Sequence, residues 1–187
     1  MRKHLRPFIV LSAPSGAGKT TIARKLAGRN PNLQISVSAT TRPMRPAEKD
    51  GIDYFFLNDD EFSKNLKEGN FLEHETVHGF RYGTLRPVLA KMTGAGKQVV
   101  FDIDVKGAIS IKRLCPEAIL IFIKPPSLAE LRQRLKARQT ETAQAIKKRL
   151  SRLKYEYQQA DKFDHVVIND ELDRAVREIE SIISAKN

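Results

Sequence analysis

A glycine-containing loop followed by lysine and threonine is the feature of this sequence that most directly predicts chemistry. Residues 13–20 read Ala-Pro-Ser-Gly-Ala-Gly-Lys-Thr and follow a short apolar run. The two glycines let the backbone bend so that several N–H groups point at one anion. Lys19 can reach the outer phosphates of a nucleoside triphosphate, and Thr20 can ligate Mg²⁺. The segment predicts a phosphate-binding loop, with Ala13 in place of the first glycine of the usual G-x-x-x-x-G-K-[ST] pattern.

Two carboxylates stand at the end of a second apolar run. Residues 99–104 read Val-Val-Phe-Asp-Ile-Asp, so Asp102 and Asp104 fall where a buried strand would end. An acid in that position, beside a phosphate loop, can organise the water shell of Mg²⁺. We assign this role to Asp102, acting through water. A solvated strand end without a metal role is the alternative interpretation.

A loop stiffened by prolines carries two arginines three residues apart. Arg42 and Arg45 both belong to the segment 38–54, which ends at Tyr54. Arginine side chains suit the capture of a phosphate through two parallel hydrogen bonds, and a tyrosine hydroxyl can add a further donor. Arginines of surface loops are often simply solvated, so this segment alone does not decide between the two interpretations.

Strand-like and helical patterns alternate along the chain and must position these residues. The sequence predicts strands over residues 8–11, 34–37, 99–103, 118–123 and 165–168. It predicts helices over residues 20–27, 105–114, 127–138, 142–160 and 172–185. This order is typical of an α/β fold with a parallel sheet core flanked by helices on both faces. Ligands of such sheets bind beyond the carboxyl ends of the strands, which is where the phosphate loop falls.

Two segments interrupt this alternation within a single predicted domain. Residues 38–86 contain prolines and short aromatic pieces, and they predict an inserted subdomain with a helix that begins at Asp59 or Asp60. Residues 124–160 predict a mostly helical hairpin that is strongly basic, with ten Lys and Arg against two acids up to residue 154. The remaining core comprises residues 1–37, 87–123 and 161–187.

The overall composition is that of an ordinary globular protein. Of the 187 residues, 41% are hydrophobic and 29% are charged, and no apolar run approaches the roughly 18–20 residues of a membrane span. We expect no cleavable signal peptide, because the apolar run after the basic start of the chain is only a strand. The single cysteine, Cys115, excludes an intrachain disulfide and fits a cytoplasmic location.

The net charge of +11 raises the question of nucleic-acid binding. Aromatic residues are not interleaved with the basic ones, and no nucleic-acid module is recognisable, so we expect no nucleic-acid partner. The basic hairpin is better suited to closing over polyphosphate, since two nucleotide substrates together carry several negative charges. A homo-oligomer is compatible with the sequence.

Five motifs, taken together, closely resemble those of the guanylate kinase family. They are the phosphate loop, Ser-Ala-Thr-Thr-Arg-Pro-x-Arg-Pro-x-Glu-x-x-Gly-x-x-Tyr over residues 38–54, Phe-Leu-Glu over 71–73, Tyr-Gly-Thr over 82–84 and Asp-Ile-Asp over 102–104. The resemblance runs from about Phe8 to Ile183. It is specific because segment 38–54 is diagnostic of this family, whereas many nucleotide-binding proteins share the phosphate loop.

The resemblance implies the reaction ATP + GMP ⇌ ADP + GDP, in purine nucleotide metabolism, with Mg²⁺ as cofactor and dGMP as a further acceptor. The implied ATP-binding residues are Ser15, Gly16, Ala17, Gly18, Lys19, Thr20, Thr21 and Asn169. The implied GMP phosphate ligands are Arg42, Arg45, Tyr54 and Tyr82, and the implied guanine ligands are Ser38, Glu73, Thr84 and Asp104. The implied catalytic residues are Lys19, Arg42 and Asp102, with Arg134, Arg138 and Arg149 closing from the hairpin, which would be a lid.

The chemistry of guanine independently favours a carboxylate reader. Guanine presents N1–H and an exocyclic amine side by side, and one carboxylate can accept hydrogen bonds from both. Adenine has an acceptor at N1, so a buried Glu73 would face a lone pair. Unpaired buried polar groups of this kind can give discrimination on the order of 10⁴-fold.

Three residues depart from the family's pattern, and three other functions compete with the implied one. The departures are Ala47, Lys106 and Gln139; none removes a charged catalytic group, so they bear on rate rather than on reaction type. The main alternative is a non-catalytic guanylate-kinase-like module that binds protein partners, but such modules typically lose the loop lysine and the phosphate-holding groups. A kinase for another nucleotide or phosphorylated metabolite and a nucleic-acid-binding protein are the others.

Overall fold

The chain folds into two β-sheets and the helices packed against them, in a computed structural model that describes residues 7–77, 79–137, 151 and 153–186. The strands are β1 (Ile9–Ser12), β2 (Leu33–Ser36), β3 (Ala39–Thr40), β4 (Phe55–Phe56), β5 (Phe71–Val77), β6 (Phe80–Leu85), β7 (Gln98–Asp102), β8 (Ile119–Lys124) and β9 (His165–Ile168). The helices are α1 (Lys19–Arg29), α2 (Asp59–Lys67), α3 (Arg86–Gly94), α4 (Val105–Leu114), α5 (Leu128–Ala137), α6 (153–159) and α7 (Leu172–Ser184).

The larger sheet is parallel and places the two predicted phosphate-side motifs next to each other. Its strand order is β2-β7-β1-β8-β9, with β1 in the centre. The register pairs Leu11 of β1 with Asp102 of β7 on one side and with Ile121 of β8 on the other. Because parallel strands end at the same edge of a sheet, the loop after β1 and the carboxylate of Asp102 meet there.

Helices cover both faces of this sheet, which explains the uninterrupted apolar strands. Helices α1 and α7 pack on one face and α3 and α4 on the other. The residues of β8 alternate between the two cores, with Ile119, Ile121 and Ile123 in the first and Leu120 and Phe122 in the second. Strands buried on both sides are expected to be almost wholly apolar.

The smaller sheet has the order β4-β3-β6-β5 and lies within residues 39–85. Its core is formed by Ala39, Phe62 and Phe71, and the last two rings stack with centroids 4.4 Å apart. Helix α2 begins with a capping box, in which Asn58 accepts from the backbone of Glu61 and the Glu61 carboxylate accepts from the backbone of Asn58. This arrangement fixes the helix that holds Phe62 against the sheet.

The predicted α/β fold with a helix-flanked parallel sheet is confirmed. Helix α4 has the predicted bounds, and the five predicted core strands are present with ends shifted by at most one residue. Helix α3 was not predicted; Pro87 lies in its first turn, where a proline costs no helical hydrogen bond. Most of the predicted helix 142–160 lies outside the described residues. Among the described residues, no helix is long and apolar enough to cross a membrane.

Candidate active site

A cleft of about 260 Å³ opens where the two sheets face each other. The phosphate loop and the start of α1 form one wall, the smaller sheet forms the opposite wall, and the end of β7 with the two residues that lead into α4 forms the floor. The site residues predicted from sequence that line it are Ser15, Gly16, Gly18, Lys19, Thr20, Thr21, Ser38, Arg42, Arg45, Tyr54, Glu73, Tyr82, Asp102 and Asp104. The fold thus brings together residues that are up to 89 positions apart in the sequence, from Ser15 to Asp104.

The phosphate-side wall is built around the backbone of the loop. Gly16 and Gly18 both have φ of 92°, a left-handed conformation that favours glycine, and α1 begins immediately afterwards. The Lys19 ammonium donates to the Ile103 carbonyl at 2.8 Å and lies 2.7 Å from a carboxylate oxygen of Asp102. The loop therefore presents backbone N–H groups, a helix N-terminus and a partly buried lysine to the same part of the cleft.

The opposite wall carries a pre-arranged arginine. Arg42 donates through Nη2 to both carboxylate oxygens of Glu48, at 2.7 and 2.9 Å, and its guanidinium lies 5.3 Å from the centre of the Tyr54 ring. Burial lowers the pKa of Arg42, but the hydrogen bond and charge of Glu48 outweigh it and the net pKa is raised. Arg45 is oriented by the same carboxylate, which accepts its backbone N–H at 2.8 Å.

Tyr54 remains a hydrogen-bond donor at neutral pH. Burial, and then the charge of Asp102, raises the pKa of Tyr54 to about 12. Its ring is in edge contact with that of Tyr82, with centroids 6.1 Å apart. Two arginines and two tyrosines therefore line the same wall, which is a donor set suited to an anion with several oxygens.

A buried carboxylate lies deeper in the cleft. Glu73 is only 7% exposed, and its Oε1 accepts a hydrogen bond of 2.7 Å from the hydroxyl of Thr84, its partner across β5 and β6. Burial raises the pKa of Glu73 to about 7, and the charge of Asp104 adds to the shift, whereas the Thr84 hydrogen bond opposes it. The hydrogen bond from Thr84 engages one oxygen of this carboxylate, so the carboxylate can accept further hydrogen bonds from N–H groups of a ligand.

Asp104 also lines the cleft, at the start of α4. One of its carboxylate oxygens accepts from the backbone N–H groups of Lys106 and Gly107, at 2.7 and 3.2 Å, and so caps α4. Asp102, two residues earlier, faces Lys19 instead. The two acids therefore face different parts of the cleft. Residues two apart lie on the same face of an extended strand, so this divergence arises because β7 ends at Asp102 and Asp104 caps α4.

Asn169 supports the phosphate loop from behind. Its side chain is buried, and its Nδ2 donates to the carbonyl of Ala17 at 2.7 Å. The carbonyl of Asn169 accepts from both terminal nitrogens of Arg134, at 3.3 Å each. Neither Asn169 nor Arg134 lines the cleft, so their contacts here link α5 and the end of β9 to the loop.

Replacing Asn169 with Ala is expected to lower the free energy of unfolding by about 1–3 kcal/mol, because the buried Ala17 carbonyl loses its partner. If the loop binds ATP and the opposite wall binds GMP, as the resemblance implies, the KM for ATP should rise more than that for GMP, since the loop is distorted and the other wall is intact. Urea unfolding and steady-state kinetics measure both effects, and Asn32→Ala, at an exposed turn, is the matched control. Equal changes in the two KM values would contradict this role.

Comparisons with known proteins agree with the geometry. Residues 5–186 match the model of the family described as guanylate kinase. The chain is 49% identical to the guanylate kinase of Chlorobaculum tepidum over 170 residues, which cover 90% of this chain and 87% of that protein. It is 45% identical to the guanylate kinase of Thermotoga maritima over 179 residues, which cover 96% and 86%. The chain belongs to the guanylate kinase family.

A solved structure extends the agreement to three dimensions. The crystal structure of guanylate kinase from Anaplasma phagocytophilum superposes with a TM-score of 0.81 at 32% identity, covering 98% of this chain and 87% of that one. A guanylate kinase is an enzyme that transfers a phosphoryl group from ATP to a guanylate acceptor. The predicted family, fold class and enzyme class are confirmed, and nothing in these comparisons favours the non-catalytic module.

Some predicted guanylate kinase residues lie away from the cleft or outside the described chain. Ala17 and Thr84 are fully buried; Ala17 is held by Asn169 and Thr84 holds Glu73. The predicted lid residues Arg138 and Arg149 lie outside the described residues. The roles predicted for all of these positions stay predictions.

The structure also identifies residues that the sequence analysis did not assign to the site. Glu48 orients both loop arginines, and the carboxylate of Asp53 pairs with Arg24 of α1, which connects the substrate loop to the core. Glu156 of α6 is buried and lines the cleft. Glu48 was included in the sequence analysis only as one position of the family motif. No local sequence pattern around Asp53 or Glu156 predicts which residue either of them contacts.

The cleft suits a divalent metal ion that is held mainly by phosphate and water. Kinases that use ATP require such an ion. Among the described residues, no group of three or more His, Cys, Asp or Glu side chains is arranged to hold a metal. The cleft instead offers the hydroxyl of Thr20 and the carboxylate of Asp102, and Mg²⁺ usually takes only one or two protein ligands beside substrate phosphates.

Proposed function

We propose that this chain phosphorylates GMP, and dGMP, with ATP held by the phosphate loop and the acceptor held by the smaller sheet. The observation that carries the proposal is the composition of one cleft. Lys19 and the loop backbone line one wall, whereas Arg42, Tyr54 and Glu73 line the other. Two nucleotides bound in this way would meet with their phosphates between the walls.

ATP binds with its outer phosphates against the loop, where Ser15, Gly16, Gly18 and Thr21 supply polar groups around the N-terminus of α1. The Lys19 ammonium leaves its contact with Asp102 and moves to the transferred phosphoryl group. Thr20 and, through water, Asp102 would hold Mg²⁺. When bound, Mg²⁺ neutralises charge that develops on the phosphate oxygens.

GMP binds with its phosphate on Arg42, Arg45, Tyr54 and Tyr82. The arginines supply charge and the tyrosine hydroxyls supply donors, and Glu48 keeps Arg42 in place before the substrate arrives. The guanine ring enters the deeper part of the cleft. There the ionised carboxylate of Glu73 accepts from N1–H and from the exocyclic amine, with Ser38, Thr84 and Asp104 completing the pocket.

The transfer step needs positioning and charge neutralisation rather than a general base. An oxygen of the GMP phosphate attacks the γ-phosphorus of ATP, the bond to the β-phosphate oxygen breaks, and ADP leaves with that electron pair. The attacking oxygen is already anionic, so no proton has to be removed. Lys19 and Arg42 stabilise the charge on the transferred group, joined by Arg134, Arg138 and Arg149.

We assign three parts of the chain to this cycle. Residues 38–86 form the GMP-binding subdomain, residues 124–160 form a lid, and residues 1–37, 87–123 and 161–187 form the core. A lid that excludes water prevents hydrolysis of ATP in place of transfer. The single cysteine supports a cytoplasmic location for this activity.

The direct test offers GMP, dGMP, AMP, CMP and UMP separately to the protein with ATP and Mg²⁺, and measures ADP formation. We expect rapid turnover with GMP and dGMP, little with the other three, and none when EDTA removes the metal. Rapid turnover with AMP, CMP or UMP would overturn the guanine assignment, and no turnover with any acceptor in folded protein would overturn the kinase function.

A further inference from the structure

Helix α4 passes unusually close to the carboxylate of Glu73. Gly107 lies in the first turn of this helix and is buried. A Cβ atom added to Gly107 would lie 2.9 Å from Oε2 of Glu73, 3.3 Å from Cδ1 of Ile103 and 3.6 Å from Cδ of Glu73. Because Cβ atoms in proteins essentially never come within 3.0 Å of another group, a methyl group at position 107 and the carboxylate cannot keep these positions together.

The backbone itself does not require glycine at this position. Gly107 is helical and is absent from the glycines with positive φ, so an alanine could adopt the same conformation. In a helix interior, glycine is less favourable than alanine by about 1 kcal/mol. The close approach of Oε2 is therefore the feature of the described structure that accounts for a glycine here.

The carboxylate of Glu73 is thus confined on two sides. The hydroxyl of Thr84 holds Oε1 at 2.7 Å, and the bare backbone of Gly107 leaves just enough room for Oε2. We propose that Gly107 is a positioning residue for guanine selection, which sets where Glu73 presents its acceptors. This inference rests on the proposed role of Glu73 as the guanine reader.

An added methyl group would act on the carboxylate more than on the fold. Oε2 is the far end of a flexible side chain, so rotation of Glu73 relieves the collision with little cost elsewhere. The contact with Ile103 needs a shift of only a few tenths of an ångström. Alanine at position 107 should therefore leave the protein folded while it moves the guanine acceptors.

The test compares Gly107→Ala with Gly28→Ala, a helical glycine of α1 whose added Cβ meets nothing within 4 Å. Steady-state kinetics are measured with GMP and with IMP, which lacks the exocyclic amine, together with the KM for ATP and the melting temperature. We expect Gly107→Ala to raise the KM for GMP about 10-fold and to reduce the preference for GMP over IMP, as weakening one buried hydrogen bond does. ATP binding should not change, and Gly28→Ala should show wild-type kinetics with a melting temperature at least as high as that of the wild type.

The comparison with Glu73→Gln separates this inference from the function on which it rests. If Gly107→Ala keeps the wild-type preference while Glu73→Gln loses it, Gly107 has no positioning role and the guanine assignment stands. If Glu73→Gln keeps the preference, the assignment of Glu73 itself is wrong.

A second variant covers the case in which Gly107→Ala folds poorly. In the double variant Gly107→Ala/Glu73→Ala the carboxylate is removed, so the melting temperature lost in Gly107→Ala should be regained if the collision is with Glu73. A double variant as unstable as Gly107→Ala would overturn the inference.

Discussion

Replacing Lys19 with Met is expected to lower kcat for GMP phosphorylation by about 10³-fold, because the reacting phosphoryl group loses a positive charge that no neighbouring group replaces. Methionine keeps much of the length and apolar volume of the lysine side chain. In the unliganded enzyme the ammonium already lies at the phosphate loop, between Asp102 and the carbonyl of Ile103.

The fold should survive this substitution. Asp102 lines the open cleft, so water can reach its carboxylate once the ammonium is removed, and the substitution removes no contact of the hydrophobic core. Circular dichroism and thermal melting verify the fold, and coupled measurement of ADP formation gives kcat. The matched control is Lys25→Met, on the same helix but paired with Asp173 at the surface. Near-normal turnover in folded Lys19→Met protein would exclude the proposed charge role.

The position of Lys19 illustrates what sequence can predict about this site. The phosphate loop is a local pattern, and its strand, turn and helix follow one another within 21 residues, so nearby residues determine the backbone geometry. Asp102 was also predictable, because an acid at the end of a buried parallel strand lies at the same edge as the loop. That these two side chains pair with each other depends on the strand order, which no local pattern contains.

The wall opposite the loop was harder to predict, because its contacts join distant or short segments. The strands β3 and β4 have two residues each, too few for alternation to be visible in the sequence. Glu48 orients Arg42 through a turn whose path is set by backbone hydrogen bonds within residues 45–54. The family motif includes this glutamate, but its contacts with Arg42 and Arg45 are known only from the structure.

The role of Gly107 lay beyond sequence reasoning altogether. The segment after Asp104 was expected to be a helix, and a single glycine in a helical pattern usually lowers confidence in that assignment. Its significance comes from Glu73, 34 residues earlier in the chain and on the other sheet. Close packing between elements, rather than the pattern of either one, determines which carboxylate position is available.

Replacing Glu73 with Gln should have the second largest effect, and it should change binding and stability in opposite directions. The amide retains the size of the side chain but turns one acceptor into a donor, which then faces an N–H of guanine. We expect kcat/KM for GMP to fall about 10²-fold and the preference for guanine over hypoxanthine and adenine to decline, with the KM for ATP nearly unchanged. Unaltered selectivity would show that Glu73 does not read the base.

The pH dependence gives a more specific signature. Because the pKa of free-enzyme Glu73 is raised to about 7, the carboxylate is only half ionised at neutral pH, and guanine requires the ionised form. The wild-type kcat/KM for GMP should therefore rise through pH 7 and level off above it. The phosphate of GMP titrates near pH 6, so the profile of Glu73→Gln, in which only that step remains, provides the control.

The free energy of unfolding of the wild type should fall with rising pH, whereas kcat/KM for GMP rises. The folded pKa of about 7 exceeds the ordinary value of 4.5, so the folded state binds a proton more tightly than the unfolded chain does. Holding the carboxyl protonated adds about 3 kcal/mol to the free energy of unfolding. This contribution is complete below pH 4.5 and is lost as the pH rises through 7. Glu73→Gln avoids this cost, and urea unfolding at pH 8 should find it more stable than the wild type, with little difference at pH 5. A Glu73→Gln variant no more stable than the wild type at pH 8 would contradict the raised pKa of Glu73. In the unliganded enzyme, therefore, the charge of this carboxylate lowers the free energy of unfolding until the two N–H donors of guanine bind to it.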